Sequence, residues 1–428
     1  MLLWVGAMIS SIGSGLTSFG LGVYIFQKTG SAADMALVTL LGFLPTLLLS
    51  VPAGVLADKY DRRILMMIGD GLSAMGILFI LVCMMTGEAQ LWQICMGVFV
   101  SGSFSALLEP AFRATITDLL TKEEFSKASG LVSMAGSARY LFSPIIAGLL
   151  LSVSDVKLLL VIDICTFVLT VAGVAVIRKS IAKKTKEDDK PFLASMKEGW
   201  TFLRQKRGVF VLVILSSVIT LFIGMFQILA EAIVLSFTDA KTLGIAETIC
   251  ASGMLVSGIL LGIRGIKKGF VKVLSLSLML SGLFIIGYGL FENINLISAF
   301  GFLFFAAIAF SNNSLDYLVR TNIPDEVQGR VWGLIGFISQ IGYVISYATS
   351  GVFADFLGDL TGRGVGRGSA MVVIISGICL IVISASVYLV KNIRRLETES
   401  EAAPKHASES SSESKDNQTH FQTNEANV

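Results

Sequence analysis

The chain is 428 residues long, 54% of them hydrophobic and only 15% charged, with a formal net charge of +2 and a mean hydropathy of +0.77. A soluble domain carries about a quarter charged residues, so this composition excludes an ordinary water-soluble fold. The basic residues are scattered over short segments, which excludes the dense positive face of a nucleic-acid binder.

Twelve apolar stretches reach the length that a helix needs to cross hydrocarbon, about 20 residues. In chain order they cover 2–26, 34–57, 64–86, 90–112, 128–151, 157–178, 208–237, 243–264, 270–290, 294–318, 330–357 and 370–391. The first has no basic leader and is too long for a signal-peptide core, so it reads as a retained span. Alternate loops carry 27 and 5 Lys and Arg, which places both termini in the cytoplasm and requires an even number of spans. The loop at 178–207 divides the spans six and six. Within it, Phe192, Met196, Trp200 and Leu203 recur at helical spacing opposite Lys197, Arg204 and Lys206, as in a helix lying along the inner membrane surface.

The expected organisation is a six-helix bundle over 1–178, a cytoplasmic linker with an amphipathic helix over 179–207 and a second six-helix bundle over 208–391. A disordered cytoplasmic tail, rich in Ser and Glu, follows over 392–428. The five cysteines, Cys83, Cys95, Cys165, Cys250 and Cys379, lie in apolar stretches without metal-ligand spacing and read as buried apolar residues. Both histidines, His406 and His420, fall in the tail, which argues against a metal site or an enzyme embedded in the membrane.

Charged residues at membrane depth are costly and mark function or buried pairing. Arg139, near the middle of span five, faces either a cavity or a structural partner. Asp163 in span six and Glu231 in span seven are its candidate partners, with Gln227 one turn before Glu231. Asp70 is a further acid, in span three, and the sequence assigns it no role. Span four ends with Glu109 and Arg113, and span ten, six helices later, ends with Asp316 and Arg320. Each is an acid and an arginine at i, i+4, where an ion pair forms easily, followed by a short acidic loop. They read as gate or topology pairs related by an internal repeat, which implies two bundles related by a pseudo-twofold axis. The glycines at 362, 364, 366 and 368 lack the Lys-Ser/Thr of a phosphate loop, so no nucleotide is expected.

The loop after span two reads Gly54-Val-Leu-Ala-Asp58-Lys59-Tyr60-Asp61-Arg62-Arg63. It resembles the GxxxD(R/K)xG(R/K)(R/K) signature of the major facilitator superfamily, with Asp61 in place of a glycine. Further segments resemble the macrolide-efflux and siderophore-exporter branch of drug:proton antiporters. They are Ile9-Ser-Ser-Ile-Gly-Ser-Gly-Leu-Thr, Pro110-Ala-Phe-Arg-Ala, Val161-Ile-Asp-Ile, Gln328-Gly-Arg-Val-Trp-Gly and Gly364-Val-Gly-Arg-Gly. Ser143-Pro144-Ile-Ile-Ala147-Gly148 resembles the antiporter motif GPxxGG with two glycines replaced, and the branch's usual span-four arginine is missing, with Gln93 the nearest polar residue.

The resemblance implies the all-α major facilitator fold, without cofactor. It also implies a conformational latch that includes Lys59, in which Gly54 permits close helix approach, Asp58 accepts from a helix N-terminus or an arginine, and Arg62 and Arg63 reach acids such as Asp118. The expected function is export of a small amphipathic compound across the cytoplasmic membrane in exchange for protons, by a monomer embedded in the lipid bilayer. Arg139, Asp163, Glu231, Gln227 and Asp70 are the expected substrate and proton-coupling residues. Solute uptake by the same fold, or a non-transporting receptor or scaffold, remain the alternatives.

Overall fold

The computed structural model describes residues 2–119, 138–176, 200–324, 328–390 and 393–397. Its helices in chain order are α1 (Leu2–Thr29), α2 (Ala32–Lys59), α3 (Arg62–Thr86), α4 (Leu91–Ser105), α5 (Leu108–Leu119) and α6 (Ala138–Leu151). They continue with α7 (Val156–Val176), a short α8 over 200–205, α9 (Arg207–Leu235), α10 (Ala240–Arg264) and α11 (Phe270–Leu290). The last are α12 (Ile294–Arg320), α13 (Gln328–Thr361), α14 (Gly364–Leu389) and a short α15 over 393–397.

Among the described residues, eleven helices are long and apolar enough to cross a membrane, and α6 is a shorter apolar helix. The fifth span, expected over 128–151, is represented by α6, and its first ten residues lie outside the described part. Large apolar side chains cover the outside of the bundle, among them Leu169, Val168, Met75 and Leu389. A soluble protein would bury them; a hydrocarbon solvent accommodates them.

The two halves repeat the same neighbours. In the first, α1 packs on α7, α7 on α3, α3 on α4 and α4 on α2. In the second, α9 packs on α14, α14 on α11, α11 on α12 and α12 on α10, the same order six spans later. Even the polar links correspond. Ser73 of α3 donates to the carbonyl of Ser101 at 2.9 Å and meets the Ser105 hydroxyl at 2.9 Å, both on α4. Ser277 of α11 meets the Ser311 hydroxyl of α12 at 2.7 Å. Between helices in lipid, where apolar burial supplies no drive, such small hydroxyl residues permit close packing and add hydrogen bonds.

Several expectations change. Span four is interrupted at 106–107 and resumes as α5, a break that continuous hydropathy conceals. Cys165 and Cys379 are exposed on the outside of the bundle, because the apolar stretches that hold them face outward there; Cys95 and Cys250 are buried and Cys83 is half-buried. Residues 393–397, expected in the tail, form α15. Its Ile393 and Leu396 are buried, and the Glu397 carboxylate accepts from the N–H groups of Phe270 at 2.6 Å and Val271 at 3.4 Å, capping α11. Of the amphipathic linker helix only 200–205 is described, with Leu203 fully buried and Trp200 edge-on to Phe210. The rest of the linker and the tail beyond 397 lie outside the described residues.

Candidate functional site

Loops at 60–61 and 265–269 lie on one face of the bundle, called here the basic face; those at 30–31, 152–155, 236–239 and 362–363 lie on the far face. Among the described residues, two helix crossings bring the halves into close backbone contact toward the far face. Where α13 crosses the first turn of α2, Gly351 lies so close that a Cβ would come within 2.5 Å of the Ala33 Cα. Where α6 crosses α10, a Cβ on Gly148 would lie 2.7 Å from the Ala240 carbonyl oxygen and 3.3 Å from the Gly244 Cα. Thr248 donates to the Leu141 carbonyl at 3.2 Å further along the same crossing. Asp239 starts α10 as its N-cap, and the hydrogen bond from Thr242, at 2.8 Å, holds its carboxyl below the usual carboxylate range.

The glycines nearer the basic face contrast with these. Among the described residues, a Cβ on Gly54 of α2, Gly258 or Gly262 of α10, or Gly333 or Gly336 of α13 would meet nothing within 4 Å. Among the described residues nothing approaches Gly54 closely, and the close contacts between the halves gather toward the far face. On that face Asp61, the departure from the signature glycine, is the N-cap of α3 and accepts from the Arg63 N–H at 2.9 Å. Its carboxylate also lies 3.7 Å from the Arg63 side chain, and Arg62 donates to the Ala57 carbonyl at 3.2 Å. Lys59 is exposed. The side chains of Asp58, Arg113 and Asp118 lie outside the described residues. Glu109 is exposed on α5, and Asp316 pairs with Arg320 at 3.7 Å on the surface of α12, the Arg320 guanidinium resting 5.7 Å from the Trp332 ring.

In the first half the opening segment packs around a buried acid. Asp163, 1% exposed on α7, accepts from the Thr17 hydroxyl at 2.6 Å and from Ser14 and Thr166. Gly13 makes the room: a Cβ there would lie 2.8 Å from the Asp163 carboxylate. Gly15 does the same on the other side, for Ser143 and Arg139 of α6, and Ser143 donates to the Ile12 carbonyl at 3.0 Å. The antiporter-like segment thus presents Ser143 to α1 and Pro144 and Gly148 to α10. Arg139 interacts electrostatically with Asp163 and with Tyr347, yet among the described residues no carboxylate lies within ion-pair distance of it. Asp70, 3% exposed on α3, faces Thr170 of α7, and one of its carboxylate oxygens has no partner among the described residues.

In the second half, Glu231 of α9 faces α1 across the junction between the halves, where a Cβ on Gly22 would lie 2.7 Å from its carboxylate. Glu247 of α10, a residue the sequence reading missed, lies near enough to repel it electrostatically. A lone acid in an otherwise apolar span was the signal available. Among the described residues neither carboxylate accepts a hydrogen bond. Beside them lies an aromatic group that spans both halves: Phe43 of α2 meets the rings of Tyr343 and Tyr347 of α13 edge-on, at 5.9 Å and 5.8 Å. The Tyr347 hydroxyl donates to Gln227 at 3.1 Å, which ties Gln227 to this group.

The glycine-rich segment at 362–368 serves turning and packing. Gly362 and Gly364 have φ of +64° and +80°, and side chains on Gly366 and Gly368 would overlap Ser236 and the Ala354 carbonyl.

The sequence profile described as Major Facilitator Superfamily matches residues 3–347. The chain belongs to the major facilitator superfamily. It is 28% identical over 366 residues to macrolide efflux protein A of Streptococcus pyogenes, covering 83% of this chain and 89% of that protein. It is 25% identical over 341 residues to the enterobactin exporter EntS of Salmonella typhimurium, covering 77% and 80%. The crystal structure of the nucleoside transporter NupG superposes with a TM-score of 0.72 at 13% identity, over 91% of this chain and 99% of that one, and so shares the fold. These relatives match the branch that the sequence motifs resemble, and the family and fold are those of transporters rather than enzymes.

Proposed function

We propose that the protein exports a small amphipathic compound across the cytoplasmic membrane by alternating access, driven by proton exchange. The observation that carries this reading is the junction between the halves. Uncompensated acids Glu231 and Glu247, the arginine Arg139 and the rings of Phe43, Tyr343 and Tyr347 lie together there, on helices whose close contacts across the junction gather toward the far face. Aromatic faces bind the apolar body of such a molecule, and the charged groups select its polar end. With the basic face in the cytoplasm, as the loop charges indicate, this is the inward-facing state. The efflux relatives support the direction of transport.

The proton carriers are sought among Asp163, Glu231, Glu247 and Asp70, because a coupled cycle needs an acid that alternates between a proton and another partner at membrane depth. The Asp58 cluster closes the basic face in the opposite state. Cells lacking their main exporters test the reading: expression should raise tolerance to macrolide-like amphipathic compounds several-fold, and tolerance unchanged across a panel, with the protein inserted in the membrane, refutes it.

A further inference from the structure

The closure of the far face includes a charged contact that no recognised motif contains. Asp355 lies in the last two turns of α13. Its carboxylate accepts from the Ser31 hydroxyl at 2.6 Å, the Ala32 N–H at 2.9 Å and the Ala33 N–H at 3.1 Å. Ala32 and Ala33 begin α2, where the first N–H groups have no acceptor within their own helix and the dipole is positive. Ser31 is the N-cap of α2 and its hydroxyl also accepts from the Asp34 N–H at 3.1 Å. A carboxylate of the second half thus completes the cap of a helix in the first. Gly351, one turn earlier, permits the approach, since a Cβ there would lie 2.6 Å from the Ala32 carbonyl carbon.

Charge-assisted bonds of this kind are short and strong while made, but both partners are only partly buried, so water replaces them when the helices separate. We infer that Asp355 is the far-face latch of the transport cycle, a positioning residue that holds α13 on the first turn of α2 and releases it when the far face opens. The inference rests on the alternating-access reading above. The Gly54–Arg63 segment, expected to latch the basic face, lies at the other end of α2, so one helix carries a latch at each end and the two close in alternation.

The test uses the full-length protein in lipid nanodiscs on a cysteine-free background, spin-labelled after Ser154→Cys and Thr361→Cys, one exposed far-face position in each half. The otherwise unaltered protein should give mainly the short distance. Asp355→Ala should shift the long-to-short ratio by at least about fivefold, the scale expected for losing charge-assisted bonds present in one state only. Asp355→Glu, which keeps the carboxylate, should restore part of it, and Ser31→Ala should shift the ratio the same way by less. In transport assays Asp355→Ala should raise the KM measured from the cytoplasmic side by the factor by which the short-distance population falls and leave kcat within about twofold, because fewer molecules are in the binding-competent state.

A ratio and KM unchanged by Asp355→Ala, or changed equally by Asp355→Glu, overturns the latch; if Asp355→Ala does not fold, an unchanged ratio in Ser31→Ala does so. A protein that moves no substrate yet shows the shift refutes the transport reading and keeps the latch. A working transporter whose distances ignore Asp355 refutes the latch alone.

Discussion

At the scale of single residues, the interior is organised by acids that a lipid-embedded bundle excludes unless something holds them. Asp163 shows how that is done. Thr17, Ser14 and Thr166 supply hydroxyls, and Gly13 supplies space. Removing one donor from a buried carboxylate leaves desolvation uncompensated, at about 1–3 kcal/mol. Thr17→Val keeps the shape and should lower stability by that amount, read as a reduced melting temperature in detergent. In an Asp163→Leu background the same change should cost little, because the partner is gone; equal costs in both backgrounds would show that the 2.6 Å contact contributes nothing.

The sequence made Asp163 and Glu231 visible as charges in apolar spans. Glu247 carries the same signal and was passed over. Asp355 could not be found that way, since an acid near a helix end beside the headgroups is unremarkable without its partner, and that partner lies 324 residues away in the chain.

At the scale of helices, most of the fold was legible. Runs of apolar residues of the right length mark the spans, and alternating loop charge orders them. What hydropathy could not show is where a helix stops without leaving the membrane, as at 106–107, or which glycine is a contact and which a gap. The structure separates these on one helix. Gly244 of α10 lies against α6, where a Cβ would overlap the Pro144 carbonyl, whereas Gly258 and Gly262 have open space. Gly244→Ala should therefore loosen the far-face seal and raise the rate at which an impermeant thiol reagent labels a cysteine placed by Ala240→Cys, a position buried at that crossing. Gly258→Ala should leave labelling unchanged and favour the helix by up to about 1 kcal/mol. Faster labelling in Gly258→Ala, or none in Gly244→Ala, would contradict the assignment of the seal.

At the scale of the whole molecule, two bundles with the same internal packing order make their close mutual contacts toward the far face. That geometry turns a modest change in the contacts at either end into exposure of the central junction on opposite sides. The signature at Gly54–Arg63 pointed to this superfamily from sequence alone, because its spacing and its place after span two are specific. The aromatic group of Phe43, Tyr343 and Tyr347 was not legible, since nothing in the sequence brings α2 and α13 together.

The central claim is proton-driven export through that junction, and uptake into inside-out membrane vesicles measures it most directly. With an acidic vesicle interior, a labelled macrolide-like compound should accumulate. The accumulation should collapse with a protonophore and disappear in at least one of Asp163→Asn, Glu231→Gln, Glu247→Gln and Asp70→Asn. Vesicles that contain the folded protein but accumulate nothing across the panel, or that accumulate the compound equally without a gradient, would contradict the account.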